Sequence, residues 1–568
     1  MYDVLQETIE ELTADDQMFA ISEAEVRGQT LKVWTHAPAN LREFWLSTAG
    51  HDDKDYLVYN DERLTYTQAH EKVARIANWL RANGIKEGDR IAIAMRNYPE
   101  WMLSYWAIAC VGAVSVGVNA WWVADELQYG LEDSNTKMLI CDQERLDRFT
   151  PIRDAFPDMQ VVTVRCAETP AWATPWETVV AAPAEMPDAQ IDPDDDVCIF
   201  YTSGTTGRPK GAQLTHRSCA NNIVSTIFGN LSQVTAVGKL RAAADPDAQL
   251  TPPPEQQASI IAAPLFHVTT NNCGAQVQTF LGGKLVHMYK WDAGEALRIV
   301  EAEKITSFSS VPIMTREMIA HPDYAKRDTS SLQMFGGGGA PVQADLVDKV
   351  AKKGRNASPA QGYGLTETSG IVAASFGIFL EDKPGAAGRF VPVFDVRAVD
   401  TEGNPLPAGE VGEICIRGPQ VIKGYLNRPD ATAETIVDGW LHTGDIGYVD
   451  EDSFIFLVDR AKDMVLRGGE NVYCSEVEVA LFKFPGVKEC AVFSVPDDRL
   501  GEEVGAAIVP EEGITFTAAE VRAFCKDHLA AYKIPRHIWI TDTPLPRNAT
   551  GKFLKRELQS TLVVDDAE

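Results

Sequence analysis

The run Tyr201–Ala212, YTSGTTGRPKGA, gathers the groups that hold phosphate into one short stretch. It follows an apolar segment, Val197–Phe200, which is itself preceded by Asp194, Asp195 and Asp196. A strand opening into such a loop offers backbone N–H groups around Gly204 and Gly207, hydroxyls at Thr202, Ser203, Thr205 and Thr206, and the ammonium of Lys210. Backbone donors of a glycine-rich turn, joined by one cation, stabilise phosphate oxygens as negative charge builds on them. The loop is not a Walker A motif, because no Gly-Lys-Ser/Thr closes a four-residue gap. Taken alone, the segment fits an ordinary turn as well as a phosphate cradle.

Six further strings follow. They are Ala263–Val268 (APLFHV), Gly336–Pro341 (GGGGAP), Gln361–Thr368 (QGYGLTET), Gly439–Asp445 (GWLHTGD), Asp459–Glu478 (DRAKDMVLRGGENVYCSEVE) and Pro546–Lys552 (PRNATGK). With these in order, the chain resembles the adenylate-forming superfamily of acyl-CoA synthetases, nonribosomal adenylation domains and luciferases. In its motifs it is most similar to medium- and long-chain fatty-acyl-CoA synthetases. The resemblance spans most of the chain. It implies an α/β fold with a large N-terminal domain of helix-covered sheets, carrying a small β-barrel-like subdomain, and a small mobile α+β C-terminal domain. The expected division is 1–459 for ATP and acid, and 460–568 for the catalytic lysine and thioester formation.

The same resemblance implies roles residue by residue. Thr202, Ser203, Gly204, Thr205, Thr206, Gly207 and Lys210 embrace the ATP phosphates. Gly337, Gly338, Gly339 and Ala340 let backbone approach nucleotide and acyl group, while Gln361, Gly362, Tyr363 and Gly364 line the nucleotide, with Tyr363 stacked on adenine. Thr366 reaches the α-phosphate, and Glu367 holds Mg²⁺ with Thr202 as a second oxygen donor. Asp445, helped by Arg460, binds the ribose hydroxyls. His267 sits at the acyl site as an orienting group rather than a general base.

Lys552 carries the first step in this reading. A carboxylate attacking the α-phosphorus brings two anions together and loads charge onto pyrophosphate, and an ammonium spanning them lowers that barrier. The second step needs a thiol where pyrophosphate left. The resemblance implies a rotation of the C-terminal domain about Lys462, with Gly468 and Gly469 lining the channel for the pantetheine arm of coenzyme A. Three departures stand out: Gly117 where Pro is frequent, a long segment 229–259, and Asn548-Ala549-Thr550 before the Gly-Lys pair.

The elements that must position these residues are legible in outline. With 568 residues the chain is too long for one core, so two or more domains are expected. Tyr66–Asn83 has helical apolar spacing, and Arg90–Met95 and Met138–Cys141 read as strands. Alternation of such strands with helices predicts parallel sheets covered on both faces. Trp101–Ala124 carries no charge, yet its Ser, Gly and Asn residues and acidic flanks favour a buried helix to about Gly112 and a strand over Ala113–Val118. Gly229–Ser259, with Pro246, Pro252, Pro253 and Pro254, reads as a surface loop. A formal charge of −29 argues against nucleic-acid binding and against anionic membranes. Arg522–Arg556 reverses that sign, with eight Lys and Arg against two Asp, and is a candidate surface for coenzyme A phosphates. Ten cysteines without a Cys-x-x-Cys pair, and an acidic N-terminus with no apolar run, fit a reduced cytoplasmic protein.

The function expected is ATP-dependent acyl-CoA synthesis through an acyl-adenylate. ATP, Mg²⁺, coenzyme A and a small carboxylic acid are the ligands, with no nucleic acid and no transmembrane segment; oligomeric state stays open, a homodimer included. The alternative is an acyl-AMP ligase that loads a carrier-protein phosphopantetheine. An acyl pocket drawn from Ile223, Ile227, Val268, Val311 and Met314 lacks a charged partner for an α-amino group. That points to an apolar acid, aliphatic, branched or aryl.

Overall fold

In the computed structural model the chain divides into two compact units, Met1–Asp395 with Ile416–Leu441, and Val396–Cys415 with His442–Glu568. The structure describes residues 1–202, 208–245, 254–339, 342, 344–460, 463–468, 470–548, 552–564 and 567.

The first unit contains strands of two large sheets, besides the two-stranded sheet Ile21–Val26 with Gln29–Trp34. In one, Gly424–Tyr425, Lys210–Thr215, Asp196–Thr202, Val114–Gly117, Arg90–Ala94, Met138–Asp142, Gln160–Val164 and Thr174–Pro175 lie side by side. Its central strands run parallel. Their unbroken apolar runs are buried on both faces, as parallel strands require. The helix Tyr66–Ala82 starts at a reciprocal cap between Thr65 and Gln68 and buries Val73, Ile76, Ala77 and Leu80. Helix Pro99–Cys110 is buried on every side; its one charge, Glu100 in the first turn, is paired with Arg165 at 2.9 Å, and the strand Val114–Gly117 follows it. No described helix is long and apolar enough to cross a membrane.

In the other sheet, Ser307–Ser310, Met334–Gly338 and Ser358–Leu365 are parallel neighbours, and Gly370–Phe376 returns antiparallel to the last. Its register sets Ser310 opposite Gly337, and Gly337 opposite Gln361. A Cβ on Gly337 would collide with the carbonyl oxygen of Ser310, and one on Gly336 with that of Ala360. The glycine run is therefore first a condition for closing this sheet.

One expectation is corrected. The segment from Gly229 is not a loop at its start: helix His216–Ala244 runs straight through it. Thr215 and Ser218 cap that helix reciprocally. Buried Gln233 fixes its middle by donating to the Ala374 carbonyl at 2.9 Å and accepting from Phe376 N–H at 2.8 Å. Tertiary hydrogen bonding overrides the poor helix propensity of Gly229 and Gly238. Pro246, Pro252 and Pro253 lie outside the described residues.

The second unit holds a sheet of Glu470–Val472, Val465–Arg467, Gly501–Pro510 and Val487–Asp497, with His537–Ile540 beside Gly501–Pro510. Helices Cys474–Phe482 and Ala518–Cys525 cover it, burying Val477, Leu481, Val521 and Ile538 in one cluster. None of the ten cysteines is disulfide-bonded, and eight of them are buried.

Candidate active site

The strands on either side of the candidate phosphate loop form an antiparallel pair, with Thr202 opposite Lys210. The Thr202 hydroxyl donates to the Lys210 carbonyl at 3.4 Å. Ser203, Gly204, Thr205, Thr206 and Gly207 lie outside the described residues. The first strand is anchored where Tyr201 donates to Asp133 at 2.9 Å.

Sequence reasoning missed Tyr425. Its hydroxyl donates to Glu367 Oε1 at 2.7 Å, and the Lys210 ammonium lies 5.1 Å from its ring centroid. One phenol thus ties the loop lysine to the expected metal carboxylate. Burial, reinforced by the Glu367 charge, raises the phenol well above its ordinary pKa, so it stays a donor. Nothing in the spacing of Gly424-Tyr425 reveals a partner so far away in sequence.

Thr366 and Glu367 leave the strand Ser358–Leu365 on a single helical turn, Thr366–Thr368. The Thr368 hydroxyl accepts from Leu365 N–H at 2.9 Å, and Ile422 N–H donates to the Glu367 carbonyl at 2.9 Å. A buried amide network holds the turn from behind. Asn222 donates to the Asn272 carbonyl at 3.0 Å and accepts from Ile371 N–H at 2.8 Å, while Asn272 donates to the Ser369 carbonyl at 2.9 Å. Asn272 lies in a π-helical turn, Asn271–Ala275, within the helical stretch after His267. Such turns recur at functional sites; no sequence signal marked this one.

On the neighbouring strands, Gly338 pairs with Gly362, and Tyr363, buried, pairs with Ala373. Gln361 Oε1 is buried with no hydrogen-bond partner among the described residues, which suits a residue awaiting a donor such as an adenine amine. Gly364 admits the Gly370 carbonyl where its side chain would be, and Gly339 has φ +75°. Ala340 lies outside the described residues.

His267 precedes the short helix Val268–Thr270, and its ring centroid is 4.6 Å from that of Phe266. Ile223 and Val268 share one buried cluster with Phe200 and Leu265, and Ile227 packs against it. Met314 packs against a different cluster, with Phe308 and Phe335, and accepts a 2.9 Å contact from the Ser310 hydroxyl. Val311 is buried beside it in sequence. Ile223, Ile227 and Val268 therefore pack in one group and Met314 in another.

In the second unit, Asp445 and Arg460 face each other across an antiparallel pair, with Arg460 Nε 2.9 Å from Asp445 Oδ1. The turn before Asp445 is held by groups the sequence did not single out. Glu413 accepts from Gly444 N–H at 2.9 Å and lies 2.8 Å from His442 Nδ1, which is 3.5 Å from the Cys415 sulfur. Thr443 donates to the Ile414 carbonyl at 2.7 Å and accepts from Asp445 N–H at 3.0 Å. Gly468 has φ +60° and donates to the Leu500 carbonyl at 2.9 Å; Lys462 and Gly469 lie outside the described residues. Lys552 is exposed on the second arm of a hairpin, with Arg547 bridged to Phe553. Asn548 closes that hairpin, accepting from Lys552 N–H at 3.0 Å and donating its own N–H to the Lys552 carbonyl at 2.9 Å.

Residues 44–426 match the family described as AMP-binding enzyme, and 476–552 match the AMP-binding enzyme C-terminal domain. A feruloyl-CoA synthase from Amycolatopsis sp is 37% identical over 502 residues, covering 87% of this chain and 93% of that protein. The 4-coumarate–CoA ligase 3 of Oryza sativa subsp. japonica is 34% identical over 514 residues, covering 88% of each. Among solved structures, ATP-bound MatB from Rhodopseudomonas palustris superimposes with a TM-score of 0.80 at 30% identity, covering 92% of this chain and 98% of that one. The chain belongs to the AMP-binding enzyme family.

Proposed function

We propose that the protein is an ATP-dependent acyl-CoA synthetase that converts an apolar carboxylic acid and ATP to an acyl-adenylate and pyrophosphate, then transfers the acyl group to coenzyme A with release of AMP. The observation that carries the first half is the junction of Lys210, Tyr425 and Glu367. It brings a phosphate-directed cation and a hard carboxylate to one phenol, at the mouth of a glycine-rich loop. The acceptor is supported by relatives named as CoA ligases over nearly the whole chain. Those two relatives bear the names of phenylpropenoic acids, and the uncharged candidate pocket suits an aryl or aliphatic acid of that polarity.

In this reading Thr202 and Lys210, with Ser203, Gly204, Thr205, Thr206 and Gly207, receive the triphosphate. Gln361, Tyr363 and the backbone at Gly337, Gly338, Gly339, Ala340, Gly362 and Gly364 receive the adenosine, and Thr366 the α-phosphate. Asp445, oriented by Arg460, takes the ribose hydroxyls. Glu367 and Thr202 offer oxygen donors of the kind Mg²⁺ selects, and the carboxylate is already aimed by Tyr425. The bound ion supplies charge neutralisation on the phosphate oxygens. Lys552 holds the attacking carboxylate against the α-phosphate, and His267 orients that carboxylate. A functional boundary at 459/460, with Lys462 as pivot and Gly468 and Gly469 along the thiol's path, serves the second step.

The experiment is a reaction of the purified protein with ATP, Mg²⁺, coenzyme A and a panel of hydroxycinnamic, benzoic and fatty acids, with products identified by mass spectrometry. The expected result is a thioester of at least one acid together with AMP. Transfer to a carrier-protein phosphopantetheine but not to coenzyme A would establish the acyl-AMP ligase alternative instead.

A further inference from the structure

Lys555 lies three residues beyond Lys552, at the start of helix Lys555–Thr561, and its side chain is only 17% exposed. Its ammonium sits 2.8 Å from Glu478 Oε1 on helix Cys474–Phe482. The same carboxylate oxygen accepts from Val492 N–H at 2.9 Å, so Glu478 is itself fixed to the central sheet of the unit. Removing one partner of such a largely buried pair leaves the other charge uncompensated, so the pair holds its two elements together.

Among the described residues, the hairpin bearing Lys552 is tied to the body of its unit at its entry and at its exit. Its entry is held where Glu489 accepts from Leu545 N–H at 3.0 Å and lies 3.4 Å from the Arg547 guanidinium. Its exit passes from Phe553 through Leu554, which donates to the Pro546 carbonyl at 2.9 Å, directly into Lys555. Beyond that, Leu558 is buried and Gln559 donates to the Ser494 carbonyl at 3.2 Å. Glu478 thus anchors the exit as Glu489 anchors the entry.

The helix that carries Glu478 is in turn bound to the segment around Asp459–Asp463. Ser475 donates through its hydroxyl to the Val458 carbonyl and through its N–H to Asp459 at 3.4 Å, and the Cys474 thiol donates to the Asp463 carbonyl at 2.8 Å. Burial pushes the Asp459 carboxyl up to about 6, while the Lys555 charge pulls it down, with Glu478 and Asp463 acting in the opposite sense. Lys555 therefore contributes charge to both ends of the connection.

We infer that Lys555 is a positioning residue for adenylate formation: paired with Glu478, it locks the Lys552 hairpin to the helix that follows Asp459. This rests on the proposed role of Lys552 and deepens it. A displacement of about 1 Å in a transition-state contact costs on the order of a hundredfold, so a loosened hairpin exit registers in the first half-reaction. Thioester formation from a supplied acyl-adenylate does not use the lysine and is spared.

The test uses the full-length protein in two variants, Lys555→Arg and the double variant Lys555→Met/Glu478→Gln, which removes both charges and so leaves none buried unpaired. Adenylate formation is followed by ATP–pyrophosphate exchange, thioester formation from supplied acyl-AMP, and folding by circular dichroism. The double variant is expected to lose about tenfold or more in the exchange kcat, with the KM for ATP and the thioester rate changed less than about threefold; Lys555→Arg restores most of the exchange rate. Wild-type exchange in the folded double variant overturns the inference, as does an equal fall in both half-reactions. Failure of the double variant to fold also overturns it, making Lys555 a stability residue. Lys552→Ala run in parallel separates the premises: if it still exchanges, the role of Lys552 fails; if it does not while the double variant does, only the role of Lys555 fails.

Discussion

Tyr425 donates its hydroxyl to Glu367 at 2.7 Å while its ring faces the ammonium of Lys210 at 5.1 Å, so one side chain couples the proposed phosphate-binding lysine to the proposed metal carboxylate. A hydrogen bond to a charged acceptor contributes about 1.5–3 kcal/mol, enough to decide which way Glu367 points. Tyr425→Phe keeps the ring and removes the donor. It should lower adenylate formation by about tenfold and raise the Mg²⁺ concentration needed for half-maximal rate. Titration of the exchange rate with Mg²⁺ checks this. An unchanged Mg²⁺ requirement would separate Tyr425 from Glu367 in function.

Glu367→Gln should be more severe, since the amide keeps the shape and loses the charge that a hard cation selects. The expected loss in exchange is on the order of a hundredfold, and chelation of divalent ions from the wild-type protein should abolish the same activity. Measured by the same exchange reaction, a variant as active as wild type would remove Glu367 from the metal assignment.

Glu413 and His442 build the turn that presents Asp445, with the Gly444 N–H held by Glu413 at 2.9 Å. Glu413→Ala should therefore raise the KM for ATP several-fold, on the order of 1 kcal/mol of lost orientation, with a smaller change in kcat. Steady-state kinetics with ATP varied reports the split. A loss confined to kcat would place Glu413 in the chemical step instead.

Two fully enclosed histidines predict how stability follows pH. Burial pushes His216 and His287 down to about 3. In the folded chain they remain neutral, whereas unfolded they take up protons near the usual imidazole value of about 6.5. The unfolded state binds more protons in that window, so stability should be full above about pH 6.5 and fall progressively toward about pH 3. His287→Leu removes one such site, as neither ring nitrogen has a hydrogen-bond partner among the described residues. Denaturant unfolding at several pH values should show a shallower acid limb for this variant; an identical slope would contradict the assignment.

Much of this architecture was legible in the sequence because its determinants are local. The helix Tyr66–Ala82 carries its apolar stripe within its own residues and its cap at the adjoining Thr65, and the buried helix Pro99–Cys110 declared itself by the uncharged run that begins at Trp101. The helix through Gly229 was misread because what holds it is Gln233 binding backbone near residue 374, a contact no local pattern encodes. Tyr425 was missed for the same reason. The glycine run at 336–339 was noticed, but its first cause is a strand carbonyl on each side rather than a ligand. Lys552 was legible as a residue, while its support by Asn548, Glu489 and Lys555 became visible only in three dimensions.

The most direct test of the account is the separation of half-reactions in Lys552→Ala. ATP–pyrophosphate exchange with a turned-over acid, and thioester formation from the matching synthetic acyl-adenylate, are measured on the same preparation. The account predicts that exchange falls by at least about a thousandfold while thioester formation stays within about threefold of wild type. Equal loss of both, or exchange that persists, would contradict it.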